Sequence, residues 1–385
     1  MQFKNIIGHQ KIKKQLINTV NENRISHAQL FFGQEGSGEL ALAVAYAQYI
    51  CCENKQEDDS CGVCNSCVKY EKLAHPDLQL VFPTPGGSNK TKTGIKGNKA
   101  KDNAGANYYT DFRDLFISNP YFNIDDWHDK LEIKNEQPII NKDDCKDIIS
   151  NLNLKTYESE YRVVIIWMVD KLHYAAAPKI LKTLEEPSEK TLFLLITNNY
   201  DDVLNTIISR TQMIKVLNHT SEELVSYITN KYTKSEQEAK KIVKLSNNNI
   251  NKIIKLIENS EDTEELFESF RNWMRLCWKP NVPELVEWID EIGKSWGREK
   301  FKSFFEYGLE IIRLCLLYNN KNNNLLNLDN EELDFISKFS AFINEHNNIA
   351  LSEEFNNSYT YIERNASAKI VMLDLSLKVH SIIKK

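Results

Sequence analysis

The stretch HAQLFFGQEGSGELALAVAYAQYI, residues 27–50, decides the fold. Its apolar run AQLFF (28–32) is short enough for a buried strand and leads straight into Gly33, and the alanine- and leucine-rich LALAVAYAQYI (40–50) is long enough for a helix. Strand, glycine loop and helix in that order form the local frame of a phosphate-binding loop. The loop reads Gly33-Gln34-Glu35-Gly36-Ser37-Gly38-Glu39-Leu40, so Gly33 and Gly38 stand in register with the phosphate-loop pattern. The two residues that do chemistry do not. A working loop places a lysine on the β- and γ-phosphates and a hydroxyl on magnesium, whereas this one offers the Glu39 carboxylate and the Leu40 isobutyl group. Two like charges about 4 Å apart repel by roughly 4 kcal/mol at an effective dielectric near 20. The expectation is that nucleoside triphosphate binds poorly or not at all. The Glu39 carboxylate, at a helix N-terminus, is expected to lie in the vacated anion site.

Working outward, residues 9–22 put Ile12, Leu16 and Val20 at helical spacing. The β-branched run VVII (163–166) and the apolar TLFLLIT (191–197) flank a helix that ends at Pro187, and LQLVF (78–82) is a further short apolar run. Alternating strands and helices predict an α/β core with a parallel sheet covered on both faces. A phosphate-loop ATPase also needs acidic residues at the end of a neighbouring strand to hold magnesium and position water. Here VVII runs into Trp167 and Met168, which supply no carboxylate, and only Asp170 survives nearby. Four substitutions, at Glu39, Leu40, Trp167 and Met168, therefore disable one reaction. From about Ser221 the strand signals vanish, and amphipathic segments run to Lys385.

At 385 residues the chain exceeds the roughly 100–200 residues of one ordinary domain. Its net charge of −6 argues against coating nucleic acid unaided. With no leader-like N-terminus and no run of about 18 apolar residues, a cytoplasmic protein without a membrane partner is expected. Residues 86–106, GGSNKTKTGIKGNKAKDNAGA, have no apolar period and are expected to be an unstructured, solvated insertion whose five lysines could brush DNA. The aromatic sequence that follows is expected to anchor its far end.

Five of the eight cysteines fall between Cys51 and Cys67. Cys52, Cys61, Cys64 and Cys67 have the spacing C-x8-C-x2-C-x2-C, in which thiolates converge on one tetrahedral ion, and a closed four-thiolate shell implies structural zinc. Cys51 is the alternative fourth ligand. An iron–sulfur cluster, or reduced thiols binding nothing, are the other readings.

The order HAQLFFGQEGSG (27–38), cysteine cluster, HPD (75–77), YRVVII (161–166), LKTLEEP (181–187) and TIISRTQ (206–212) resembles the delta-prime subunits of bacterial DNA polymerase III clamp loaders. The resemblance implies an AAA+ core (1–217) carrying the zinc module (52–67) and an insertion (86–137), a helical lid (218–258) and a helical collar (259–385). It also implies a stator without ATP hydrolysis of its own, in a hetero-pentameric ring that opens a sliding clamp and places it on primed DNA. In that family a Ser-Arg-Cys motif offers its arginine to ATP on the neighbouring subunit. Here it reads Ser209-Arg210-Thr211, so the charge is kept while threonine replaces cysteine. Lys252 stands where related ATPases put a lid arginine. Two rival readings remain at this stage: an AAA+ ATPase active with unconventional residues, and a zinc-bearing DNA-binding module acting outside any ring.

Overall fold

The computed structural model describes residues 1–85, 104–131, 138–141, 145, 156–258, 260–278, 281–320, 330–344 and 347–384. Among these residues one five-stranded parallel sheet forms from β1 (Ala28–Gly33), β2 (Leu78–Val81), β3 (Arg162–Trp167), β4 (Thr191–Thr197) and β5 (Gln212–Val216), in the order β2-β3-β4-β1-β5. Register is continuous across the centre, with Leu30 of β1 opposite Leu195 of β4 and Met213 of β5. Every residue of β3 and β4 is buried, which is why these two read as unbroken apolar runs.

The helices that belong with the sheet are α1 (Gln10–Asn21), α2 (Glu39–Ile50), α3 (Asn65–Glu71), α4 (Ala104–Ser118), α5 (Ile124–Lys130), α6 (Ala177–Glu185), α7 (Asn205–Ile208) and α8 (Ser221–Tyr232). Strand side chains alternate between faces. Phe31, Val163, Ile165, Leu192 and Leu194 share one core with α1 and α2, while Leu30, Val164, Ile166, Phe193 and Leu195 share another with Ile180 and Leu184 of α6 and Ile207 of α7. Helices thus cover both faces, as the alternating pattern predicts, and α2 is buried along its whole length.

The chain divides into two compact units, residues 1–233 with 246–253, and residues 234–245 with 254–385. The second contains α9 (Glu236–Leu245), followed after α10 (Ile250–Glu258) by α11 (Ser260–Trp278), α12 (Val282–Ser295), α13 (Arg298–Asn319), α14 (Asn330–Phe339), α15 (Asn348–Glu363) and α16 (Ala368–Ile383). No strand occurs after β5 among the described residues. An aromatic core of Phe270, Trp273, Phe304, Phe305 and Phe355 holds this helical unit, with the Trp273 indole N–H donating to Ser376 Oγ at 2.8 Å. The α/β core with an all-helical C-terminal part is the architecture expected from the sequence.

The differences are local. Strand β5 has a single buried face at the edge of the sheet, and its mixed sequence QMIKV carries too little apolar signal to be read as a strand. Of the stretch expected to be unstructured, residues 86–103 lie outside the described residues, but 104–106 open helix α4. Between residues 142 and 155 only Cys145 is among the described residues, and it is buried in the core that contains Ile180 and Leu184 of α6. The aromatic sequence after the insertion does more than anchor. Phe112, Phe116, Phe122 and Trp127 are almost fully buried in the main core, and Trp127 stands edge-on to Phe82 and Phe112.

Candidate functional site

The glycine loop leaves the end of β1 and curls back before α2. Gly36 and Gly38 take φ of +82° and +88°, the left-handed region that side chains avoid, and Gly38 caps α2. The loop interior is filled by its own residues. Glu39, first residue of α2 and 4% exposed, accepts hydrogen bonds on Oε1 from Ser37 Oγ at 2.6 Å and from Asn198 Nδ2 at 3.0 Å. That oxygen lies so close to Gly33 that a Cβ there would sit 2.6 Å from it. Burial raises the carboxyl from 4.5 to about 7, against the lowering effect of the Ser37, Asn198 and backbone donors. Leu40 is 5% exposed and belongs to the main core, so the place of the magnesium-binding hydroxyl is apolar packing.

The Trp167 ring closes β3 and packs 4.9 Å from Phe122 and 5.5 Å from Phe112 between centroids, while Met168 turns the chain at φ 57°. Asp170 is held by Thr197 Oγ1, which donates to its Oδ1 at 2.7 Å, with Lys171 Nζ 3.4 Å from its Oδ2.

Two further segments lie over the loop. Tyr121, between α4 and α5, rests its ring on Gly38 and accepts on its hydroxyl from the Ile7 N–H at 3.1 Å. Burial pushes its phenol well above the ordinary value. Asn123 Nδ2 donates to Glu35 Oε1 at 2.8 Å, and Asn249 presses on Gly36 and also donates to Glu35, at 3.4 Å. Asn119 donates to Asn251 Oδ1 and Asn251 to Asp126 Oδ2, both at 2.7 Å. Below them His9 Nε2 lies 2.7 Å from the Ser37 carbonyl, and the His9 and His219 rings meet at a tilt with centroids 4.5 Å apart. Burial, with His9 and Lys13 nearby, lowers His219 to about 3, so it stays neutral. Lys252 sits in the first turn of α10, its N–H on Asn249 Oδ1 at 3.1 Å.

Arg210 lies elsewhere, just past α7 at the surface. Its Nε donates to Glu185 Oε1 at 2.7 Å, with Nη2 at 2.5 Å from the same oxygen, and its Nη1 donates to Thr206 O at 3.0 Å and Ser209 Oγ at 3.1 Å. Thr211 Oγ1 donates to Ile207 O at 3.1 Å and Ile208 O at 3.2 Å, finishing the short helix in place of a cysteine.

The cysteine cluster converges. The sulfurs of Cys52, Cys61, Cys64 and Cys67 all lie within 4.8 Å of one another, and Cys61 and Cys67 are 3.9 Å apart. A tetrahedral ion with bonds near 2.3 Å separates its ligands by about 3.8 Å, so the four residues fit a zinc ion. Backbone N–H groups of Cys61, Cys64 and Cys67 point at the sulfurs of Cys52, Cys61 and Cys64, at 3.3–3.4 Å. Cys51 is not in the group among the described residues. It faces Tyr70, whose hydroxyl is 3.2 Å from its sulfur, and burial pushes its thiol up to about 11. Beside this module the HPD motif is a structural clasp, with Asp77 accepting from the N–H groups of Tyr157, Glu158 and Ser159 at 2.6, 2.8 and 2.9 Å.

Sequence reading missed Asn198, Tyr121 and Glu185. Only Glu185, inside LKTLEEP, stood in a motif already singled out.

Residues 8–220 match the family model described as DNA polymerase III, delta subunit, which is more than half of the chain. The chain is 28% identical over 205 residues to DNA polymerase III subunit delta' of Bacillus subtilis (strain 168), covering 53% of this chain and 46% of that protein. With subunit delta' of Escherichia coli (strain K12) the identity is 24% over 235 residues, covering 60% and 55%. The chain therefore spans about half the length of these relatives. A solved structure of a DNA polymerase III gamma subunit-related protein from Thermotoga maritima aligns over 96% of this chain and 99% of that one, at 14% identity and a TM-score of 0.45. The delta-prime resemblance read from the motifs is matched by these relatives, and the chain belongs to the DNA polymerase III delta-subunit family.

Proposed function

We propose that the chain is a non-catalytic stator of a DNA polymerase III clamp loader, helping to place a sliding clamp on primed DNA within a hetero-pentameric ring and offering Arg210 to ATP on a neighbouring subunit. The observation that carries this reading is the state of the glycine loop. Its interior holds the Glu39 carboxyl, clasped by Ser37 and Asn198, and Tyr121, Asn123 and Asn249 lie over it. A triphosphate entering there would have to displace a buried side chain and would meet a carboxyl instead of a lysine. Leu40, Trp167 and Met168 offer no carboxylate or hydroxyl for magnesium, and one oxygen of Asp170 accepts from Thr197 Oγ1. This counts against an ATPase active in its own right.

The surface position of Arg210 supports a role in trans. A guanidinium supplied to a transferring phosphoryl group stabilises its charge, an effect of about 10³–10⁵ in rate. Thr211 keeps the local turn closed, and Ser209 shares the arginine. Cys52, Cys61, Cys64 and Cys67 would hold a structural Zn²⁺, whose contribution is to fix the polar loop 53–60. An isolated DNA-binding module is disfavoured by the net charge of −6. No helix among the described residues is long and apolar enough to cross a membrane, and a cytoplasmic location fits a replication role. In this reading residues 1–217 form the AAA+ core, 218–258 the lid and 259–385 the collar.

The test is co-purification with clamp-loader subunits, followed by DNA-stimulated ATPase assays of the assembly. Arg210→Ala should lower turnover at the neighbouring site by about 10³-fold or more, the range of a trans-acting arginine. Unchanged turnover would remove the trans-acting role.

A further inference from the structure

We propose that Glu185 is a positioning residue for Arg210, fixing the guanidinium in the orientation in which it meets the neighbouring nucleotide. The inference rests on the trans-acting reading of Arg210 and deepens it. The two residues are 25 apart in sequence and are brought together by two anchored elements. Helix α6 is pinned beneath the sheet by Ile180 and Leu184, 0% and 1% exposed, and ends on Glu185, while α7 is pinned by Ile207, also 0% exposed, two residues before the Ser209-Arg210 pair. Both ends of the contact are therefore set by the core.

The guanidinium is held along two edges. Glu185 Oε1 takes Nε at 2.7 Å and Nη2 at 2.5 Å, and Nη1 is taken by the Thr206 carbonyl and Ser209 Oγ at 3.0 and 3.1 Å. A planar fork gripped at both edges keeps one plane and one direction. The pair is nevertheless at the surface, the Arg210 side chain 35% and the Glu185 side chain 48% exposed. A surface ion pair adds little to stability, so what this arrangement supplies is direction. An arginine whose rotamer is already chosen loses less freedom on docking and arrives within the narrow tolerance that phosphoryl transfer requires. Glu185 acts through Arg210 and does not itself meet the nucleotide.

The experiment uses the assembled complex with DNA and four variants of this chain: Arg210→Ala, Glu185→Ala, Glu185→Gln and the double alanine. Misplacing a transition-state group by a fraction of its reach lowers rate by about tenfold or more. Glu185→Ala is expected to lower kcat to that extent with KM for ATP unchanged, and Glu185→Gln, which keeps an acceptor oxygen at the same reach, to recover most of it. The double variant should be no slower than Arg210→Ala. Wild-type or raised kcat in Glu185→Ala while Arg210→Ala falls would overturn the inference and leave the trans-arginine reading standing. So would a change confined to KM, or an equal loss in Glu185→Gln and Glu185→Ala. If Arg210→Ala itself turns over normally, the reading beneath the inference fails.

Discussion

The Glu39 side chain connects a sequence departure to a measurable property. Its carboxyl is raised from 4.5 to about 7 by burial, so the folded state favours the neutral form. The stabilising contribution of such a group is complete below its unfolded value near 4.5 and is lost as pH rises through about 7. Glu39→Gln keeps the acceptor for Ser37 and Asn198 but cannot ionise. It should stabilise the chain by about 3 kcal/mol at pH 8 and by about 1 kcal/mol or less at pH 5, measured as the variant-minus-parent difference in denaturant unfolding. An equal difference at both pH values would show that Glu39 does not titrate on folding. At this scale the sequence was readable wherever a residue's identity settles its chemistry. A carboxylate in place of a lysine sets the loop apart from the phosphate-binding pattern, and the spacing of Cys61, Cys64 and Cys67 says which thiols meet. It did not reveal that Asn198 would close on Glu39 or that Glu185 would hold Arg210, because both depend on side chains that only the sheet brings together.

At the scale of elements, the cysteine module and the α13–α15 pair make separate demands. Four sulfurs within 4.8 Å place several partial negative charges together, which a bound metal would relieve. The full chain is expected to carry one zinc per molecule by elemental analysis, and Cys64→Ser to lose it with a lower melting temperature, since structural zinc contributes about 10–16 kcal/mol of apparent binding energy. Iron in place of zinc, or no metal in freshly purified protein, would contradict this. In the helical unit α13 and α15 approach so closely at Gly308 that a Cβ there would overlap the Phe355 ring. Gly308→Ala should destabilise the chain by about 1–3 kcal/mol, although alanine is the better helix former. An unchanged denaturation midpoint would mean that the helices move apart without cost. Elements with long apolar runs, such as β3 and β4, were legible because burial on both faces leaves no room for polar residues. Strand β5 was not, since an edge strand with one buried face looks like loop sequence. The aromatic stretch 108–127 announced that it packs somewhere, but its target, the Trp167 end of β3, is set by tertiary geometry.

For the molecule as a whole, the sheet and its helices keep the strand, glycine loop and helix frame while the loop itself is filled by Glu39, Ser37, Asn198 and Tyr121. Retaining the frame explains why chain order and motif spacing were sufficient to identify the family. The filled loop is the reason the proposed role passes to Arg210, at the surface beyond α7. The most direct measurement is calorimetric titration of the isolated, zinc-loaded full chain with Mg²⁺-ATP, read together with phosphate release. The account predicts no saturable binding up to millimolar nucleotide and no turnover. A micromolar dissociation constant, with hydrolysis by the chain alone, would contradict it.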